Sequence, residues 1–176
     1  MEIILSNQQL SQKLKKNHSD SNFFALPRIK SVTVYIGTGR IKDDKDSLSK
    51  IQSVLTNLTG QKWIETRAKK SIATFKVRQG QSIGYKVTLR GKRGFEFLAK
   101  LFHVAIPRIR DFRGLKTSLI NQGSFNLGIK ESFVFPEMNQ QSTDSPVSLQ
   151  VTIAFNNNQV ELNREAIEAL GGKFIN

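Results

Sequence analysis

The sequence predicts an α+β domain with a largely antiparallel sheet, helices packed on one face, and a long basic loop between the second and third strands. Segments that alternate apolar and polar residues outnumber segments with helical spacing. Neighbouring segments are mostly joined by loops, whereas parallel sheets need helical crossovers. The 176 residues are 38% hydrophobic, which is enough for a folded core and excludes a wholly disordered chain.

The chain is predicted to consist of an N-terminal helix and loop (1–22) followed by a single α+β domain (23–176). Leu10 and Leu14 share one face of a short helix over Asn7–Lys16. The first strand is predicted at 31–36, because valines and isoleucine alternate there with Ser, Thr and Tyr. A helix closed by a glycine at position 60 follows it.

The middle of the chain carries two more predicted strands and a helix. The strands lie at Trp63–Arg67 and Tyr85–Arg90, and the basic loop Ala68–Gly84 connects them. The helix is predicted at Lys92–Ala105, because apolar residues recur there every three or four positions, and Pro107 stops it.

The last third is predicted to begin with a stretch, Arg108–Gly128, that is mostly loop. Two strands are then expected, at Ser132–Phe135 and at Ser148–Phe155, where apolar residues alternate with polar ones. A final helix is predicted at Arg164–Leu170, with Asn163 as its N-cap.

One face of the predicted sheet is polar, while the other is covered by helices. The alternation assigns seven residues to the polar face: Thr33, Tyr35, Lys86, Thr88, Arg90, Gln150 and Thr152. A threonine-rich face is often merely solvated, but basic residues on it, beside a basic loop, favour a docking surface for RNA.

Positive charge is concentrated in the middle of the chain. The formal net charge is +13, and residues 61–116 hold 15 basic residues against 3 acidic ones. Residues 66–95 include nine Lys and Arg and no carboxylate. Such a stretch repels itself unless a polyanion binds it. Glycines interrupt the basic stretch and argue against the amphipathic helix of a membrane-surface protein, so nucleic acid is favoured over membrane.

Nothing in the sequence favours an enzyme. There is no cysteine, and the histidines His18 and His103 lack the spacing of a zinc site, so His103 is predicted to be a half-buried helix residue. The glycines of Gly37-Thr-Gly39 lack the third glycine of a dinucleotide fingerprint. The aspartates of 43–46 are explained more simply by a helix start than by a metal. No cofactor and no metal site are predicted.

Six blocks of sequence carry a resemblance to a known family. They are Pro27–Lys30, Thr59–Lys62, Ala68–Ala73 with Phe75–Gly80, Lys86–Gly91, Ile106–Gly114 and Phe133–Glu137. In this order and at these separations the chain, over residues 23–175, resembles the bacterial-type fifth protein of the large ribosomal subunit. The block Ile106-Pro-Arg-Ile-Arg-Asp-Phe-Arg-Gly114 is nearly diagnostic by itself.

The resemblance implies that the polar sheet face binds 5S rRNA. The implied contacts, together with their neighbours on that face, are Thr33, Tyr35, Gln61, Thr88 and Arg90. The family usually has Asn where Tyr35 stands, and this tyrosine could stack on a base instead. Trp63 and Ser82 also depart from the family, each replacing a proline.

The resemblance also implies three further contact regions. The basic loop would reach the P-site tRNA through Lys69, Lys70, Lys76, Arg78 and Gln79. Other rRNA contacts would come from Arg108, Arg110 and Arg113. An inter-subunit bridge to a protein of the small-subunit head would involve Lys130, Phe135 and Glu137.

The protein is therefore interpreted as a structural constituent of the large ribosomal subunit that anchors 5S rRNA in the central protuberance. Its expected partners are 5S rRNA, large-subunit rRNA, P-site tRNA, a small-subunit head protein and other ribosomal proteins of the central protuberance, with no membrane. The alternative is a free-standing basic RNA chaperone. A bacterial cytoplasm and an organelle that encodes its own ribosomal proteins, a mitochondrial matrix or plastid stroma, fit the sequence equally well.

Overall fold

The computed structural model describes residues 6–18, 22, 24–39, 45–110, 112–130, 134–139 and 148–175. These residues form an α+β fold around a six-stranded antiparallel sheet, as predicted. The strands are β1 Ile29–Gly37, β2 Ile64–Arg67, β3 Ser82–Leu89, β4 Ile120–Asn121, β5 Ser124–Ile129 and β6 Leu149–Phe155. Their order across the sheet is β2-β3-β1-β6-β5-β4. The helices are α1 Asn7–Asn17, α2 Lys45–Thr59, α3 Gly91–Lys100, α4 Pro136–Asn139 and α5 Val160–Ala169.

The core lies between one face of the sheet and the helices. Alternate residues of each long strand are buried, and in β1 these are Val32, Val34 and Ile36, as the alternation predicts. In β3 the predicted inward residues Val87 and Leu89 are buried as well. The opposite face of the sheet is therefore left for polar side chains.

Helix α1 belongs to this same core. Ser6 and Gln9 form a reciprocal capping box at its start. Leu10 and Leu14 are buried with the rest of the core, and α1 packs against α5. The side chain of Asn7 hydrogen-bonds to both the backbone N–H and the backbone oxygen of Ile29, which fixes the helix to the start of β1.

The helix predicted at Lys92–Ala105 changes its winding partway along. The α-helix ends at Lys100, a single π-helical turn covers Leu101–Ala105, and a 3-10 turn that contains Pro107 follows. The proline ring cannot fit an uninterrupted α-helix, because it would clash with the carbonyl four residues earlier. His103 is exposed, so the prediction of a half-buried histidine was wrong.

The stretch Arg108–Gly128 was predicted to be mostly loop, and its described residues up to Leu119 form loops, turns and short 3-10 segments, but the prediction missed the two strands that follow. Strands β4 and β5 form a hairpin there, closed by the two-residue turn Gln122-Gly123. Both turn residues have positive φ, as the tight turns that suit twisted hairpins require. The predicted strand at 132–135 is not found in its described part, because Val134 and Phe135 form a turn before α4. Residues 132 and 133 lie outside the described residues.

The basic loop and the last helix also have bounds that differ from those predicted. The basic loop ends at position 81, because Ser82–Gly84 already pair with β2 or β1 as part of β3. The last helix begins at Val160, so Asn163 is an interior residue and not the N-cap. Its side-chain amide is buried and donates to the backbone oxygen of Asn157 at 2.9 Å, which fastens the preceding turn to the helix.

Candidate nucleic-acid interface

A row of polar side chains crosses the open face of the sheet. Thr33 lies at the centre of β1 and pairs with Thr88 on β3 and with Thr152 on β6. The row continues to Asn126 of β5, whose side-chain oxygen accepts a hydrogen bond from the Thr152 hydroxyl at 2.8 Å. At the other end the Gln61 amide donates to the backbone oxygen of Thr88 at 3.2 Å. Hydroxyls and amides of this kind can both donate and accept hydrogen bonds to RNA.

The structure thus brings together most of the residues predicted to bind 5S rRNA. Thr33, Gln61 and Thr88 lie in the same row, and Tyr35 lies on the same face of the sheet, two residues further along β1. Arg90 follows β3 directly, at the N-cap position of α3, and is exposed. The sequence did not reveal Asn126, because the strand that carries it was predicted to be loop.

A second row lies next to the first. Tyr35 pairs with Lys86 on β3 and with Gln150 on β6, and Lys86 in turn pairs with Ile64 on β2. Lys86 and Gln150 are exposed, and the Ile64 side chain is 60% exposed. The face therefore combines a cation, an amide and apolar surface, which suits RNA sugars and bases as well as phosphates.

The basic loop, residues 68–81, is ordered by its own hydrogen bonds. Ala68 and Gln81 close its base through a backbone hydrogen bond of 2.9 Å, and a bridge between Ile72 and Val77 closes its outer part. The predicted contact residues of this loop are all exposed: Lys69, Lys70, Lys76, Arg78 and Gln79. Phe75, at 71% exposure, lies among them.

An ion pair lies at the base of this loop. The Arg67 guanidinium lies 2.8 Å from the Glu65 carboxylate. Hydrogen bonds from Arg67 and then from Ser82 hold the pKa of Glu65 below its ordinary value of 4.5. The Glu65 carboxylate is therefore ionised at neutral pH and pairs with Arg67 at the end of β2, where the basic loop begins.

The arginines of the diagnostic block lie on the turn after the π-helical segment. Arg108, Arg110 and Arg113 are all exposed. Arg110 lines a cavity together with Gly128 and Lys130, so this arginine lies near the end of β5.

The segment around α4 holds the predicted bridge residues. Lys130 is exposed, but Phe135 is fully buried and stacks on Phe97 with ring centroids 6.1 Å apart. A buried ring cannot contact a partner, so the prediction for Phe135 was wrong and the residue belongs to the core. Glu137 accepts a hydrogen bond from Lys100 at 2.8 Å. Burial alone would raise the pKa of Glu137, but hydrogen bonds from the Lys100 ammonium and from the residue's own backbone N–H outweigh burial and lower it.

The described residues contain neither a helix that could span a bilayer nor a cluster of metal-binding side chains. No helix among them is long and apolar enough to cross a bilayer. In the same part of the chain no three His, Cys, Asp or Glu side chains gather in a group that could hold a metal ion.

An α+β fold with a polar sheet face beside a basic loop suits a nucleic-acid-binding protein, and comparison with known proteins identifies the family. The family model described as "Ribosomal protein L5" matches residues 22–78, and the one described as "ribosomal L5P family C-terminus" matches residues 82–174. The chain belongs to the ribosomal protein L5 family, and it is a protein of the large ribosomal subunit.

Relatives from several bacteria agree with this assignment. The chain is 42% identical to the large ribosomal subunit protein uL5 of Halothermothrix orenii, over 93% of the chain and 90% of that protein. It is 40% identical to uL5 of Ureaplasma parvum, over 97% and 93%. It is 39% identical to uL5 of Psychrobacter cryohalolentis, over 97% and 96%. All three are named as proteins of the large ribosomal subunit, which favours a ribosomal protein over the alternative of a free-standing RNA chaperone.

Proposed function

We propose that this protein binds 5S rRNA through the polar face of its sheet and anchors it in the central protuberance of the large subunit. The observation that carries the proposal is the row from Gln61 through Thr88, Thr33 and Thr152 to Asn126. This row gives a flat surface of donors and acceptors with no carboxylate among its members. Folded RNA is recognised by its shape and its hydroxyls on surfaces of this kind.

The basic loop serves a different contact in this proposal. It extends from the ends of β2 and β3, so its outer cations are separated in sequence and in space from the threonine row. Exposed Lys and Arg on an ordered loop provide phosphate contacts without base specificity. We assign this loop to P-site tRNA, as the family resemblance implies.

Two further regions complete the proposed contacts. The exposed arginines at 108, 110 and 113 meet large-subunit rRNA. Lys130 and the α4 segment face the small-subunit head, where the Lys100–Glu137 ion pair fastens α4 to α3. Because the relatives are bacterial proteins, the proposed setting is a bacterial-type ribosome that also contains the other proteins of the central protuberance.

A variant that introduces a negative charge tests the sheet face directly. Thr88→Glu places a carboxylate in the middle of the polar row, where like-charge contact with phosphate costs several kcal/mol. Since about 1.4 kcal/mol corresponds to tenfold, binding of a 5S rRNA transcript should weaken at least about tenfold. The matched control is Thr117→Glu, because Thr117 is exposed in the turn before the edge strand β4. It should bind like the wild type.

Filter binding and thermal unfolding decide the outcome. A Thr88→Glu protein that unfolds at the wild-type temperature and still binds 5S rRNA normally would show that the sheet face is not the interface. Co-sedimentation with large subunits in a sucrose gradient provides the assembly readout, and Thr88→Glu should be depleted from that fraction.

A further inference from the structure

A cavity of about 370 Å³ opens on the polar face of the sheet, beside the threonine row. Tyr35 and Gly37 of β1, Gly128 of β5 and Gln150 of β6 line it, with Lys130 just beyond β5. This volume lies in the range of roughly 300–1,000 Å³ that is typical of sites for small ligands. None of the described residues that line the cavity is a carboxylate.

The Tyr35 ring forms one wall, and the backbone holds it in place. Gly37 and Gly84 pair directly across β1 and β3, and the ring lies across this pair. A Cβ on Gly84 would lie 2.9 Å from the ring atom Cε2 and 2.7 Å from the hydroxyl oxygen, and a Cβ on Gly37 would lie 3.7 Å from Cε1. The nearest atom to a Cβ on Gly84 would be the backbone oxygen of Ile36, at 2.5 Å, so both the β1 backbone and the Tyr35 ring require glycine at position 84.

This arrangement leaves one side of the ring available. The sheet covers the inner side, yet Tyr35 as a whole is only half-buried, so its accessible surface points away from the strands. A flat aromatic surface that is fixed in this way stacks on nucleobases, which all present a π-face. Little conformational entropy is lost when a ring that is already fixed binds a base.

The polar groups around the ring complement a base within an RNA chain. Gln150 pairs with Tyr35 on one side and with Gly128 on the other, and its exposed side chain lies on the same face of the sheet and lines the same cavity as Tyr35. A carboxamide donates and accepts at once and can pair with the edge of a base. The Lys130 ammonium supplies a cation for an adjoining phosphate.

We infer that this cavity holds one unpaired base of the bound rRNA, stacked on Tyr35 and hydrogen-bonded at its edge by Gln150. The inference rests on the proposed function, because it places one specific contact on the face assigned to 5S rRNA. A base within a longer RNA is favoured over a free nucleotide, because the cavity is continuous with the threonine row through the β1–β6 pairs.

The test compares two substitutions of the same tyrosine in the full chain. Tyr35→Leu removes the ring, while Tyr35→Phe keeps the ring and removes only the hydroxyl. Tyr35→Leu should weaken binding of a 5S rRNA transcript at least about fivefold, the lower end of the effect of base–aromatic stacking. Tyr35→Phe should bind like the wild type. Both variants should keep the wild-type salt dependence, since neither loses a phosphate contact.

Chemical probing of the bound transcript at nucleotide resolution supplies the second readout. One unpaired base should be protected by the wild type and by Tyr35→Phe, and should become reactive with Tyr35→Leu. Gln150→Ala should also restore reactivity at that base. The Gln150→Ala variant keeps the inference testable if circular dichroism shows that Tyr35→Leu does not fold.

Several results would overturn the inference while leaving 5S rRNA binding intact. These are equal affinities and equal protection for all variants, or a loss for Tyr35→Phe as large as that for Tyr35→Leu. Binding of free adenosine monophosphate as tightly as rRNA would identify a nucleotide site instead. A wild-type protein that binds no 5S rRNA would be a different failure, because it would refute the proposed function itself.

Discussion

The triple variant Lys70→Gln/Lys76→Gln/Arg78→Gln removes three exposed cations from the basic loop. Each phosphate contact to duplex RNA contributes about 0.9, by analogy with B-DNA, to the slope of log K against log salt. If the loop bound 5S rRNA, losing three contacts would reduce that slope by about 2.7. Because we assign 5S rRNA to the sheet face, we expect the slope to change by less than about one.

The control removes the same charge at the other end of the molecule. Lys13, Lys15 and Lys16 are exposed on α1, which is fastened to the start of β1, whereas the loop lies beyond the strand's other end. Changing these three residues to Gln also lowers the net charge by three, from +13 to +10. The control therefore separates a local contact from the effect of overall charge.

Filter binding of a 5S rRNA transcript over about 50–200 mM salt measures the slopes, which we expect to lie between roughly −4 and −7 for 5 to 8 phosphate contacts. Both variants should bind 5S rRNA with similar slopes, and only the loop variant should weaken P-site tRNA binding by reconstituted ribosomes. A slope reduced by two or more units for the loop variant alone would refute the assignment of the two RNAs to separate surfaces.

Two further substitutions test the segment around α4. Phe135→Ala should destabilise the fold by about 3–5 kcal/mol, because the ring is fully buried against Phe97. At about 2–4 °C per kcal/mol the melting temperature should fall by roughly 6–20 °C, and an unchanged value would contradict its place in the core. Glu137→Gln removes the ion pair with Lys100, which contributes at most about 1 kcal/mol at this partly exposed site. Since the folded pKa of Glu137 lies below 4.5, this stabilisation is present above pH 4.5 and is lost as the pH falls through the folded pKa. The free energy of unfolding of Glu137→Gln should therefore depend less on pH in that acidic range than that of the wild type. If urea titrations at several pH values gave both proteins the same pH dependence, the contribution of the ion pair would be contradicted.

The long strands and their faces could be predicted from the sequence. Alternation at Val32, Val34 and Ile36 predicted which side of β1 is buried, and the same pattern placed Thr33 and Thr88 on the open face. The reason is that side chains along a strand point alternately to opposite faces, so a half-buried strand records its orientation in its own residues.

The β4–β5 hairpin could not be predicted in the same way. Its turn is Gln122-Gly123, while the strong sequence signal for such a turn is Asn-Gly or Asp-Gly. The fit of Gly123 depends on Asn158, whose side-chain oxygen would lie 2.6 Å from any Cβ at that position. A contact 35 positions away along the chain has no local signature.

Phe135 and Asn163 show the same limit for single side chains. The family resemblance assigned Phe135 to a bridge segment, but packing places its ring against Phe97 in the core. Asparagine is a common N-cap residue, but Asn163 lies inside α5 and its side-chain amide donates a hydrogen bond to the backbone oxygen of Asn157. Both outcomes depend on which neighbours the fold supplies.

The sequence by itself determined the class of fold, the concentration of positive charge between residues 61 and 116, and the set of threonines that faces outward. These are local properties, encoded in periodicity and composition. Only the tertiary structure decided that Asn126 extends the threonine row, that Phe135 is buried, and that Tyr35 rests on Gly84 beside a cavity. These depend on strand order and register, because pairing brings together residues that are distant along the chain.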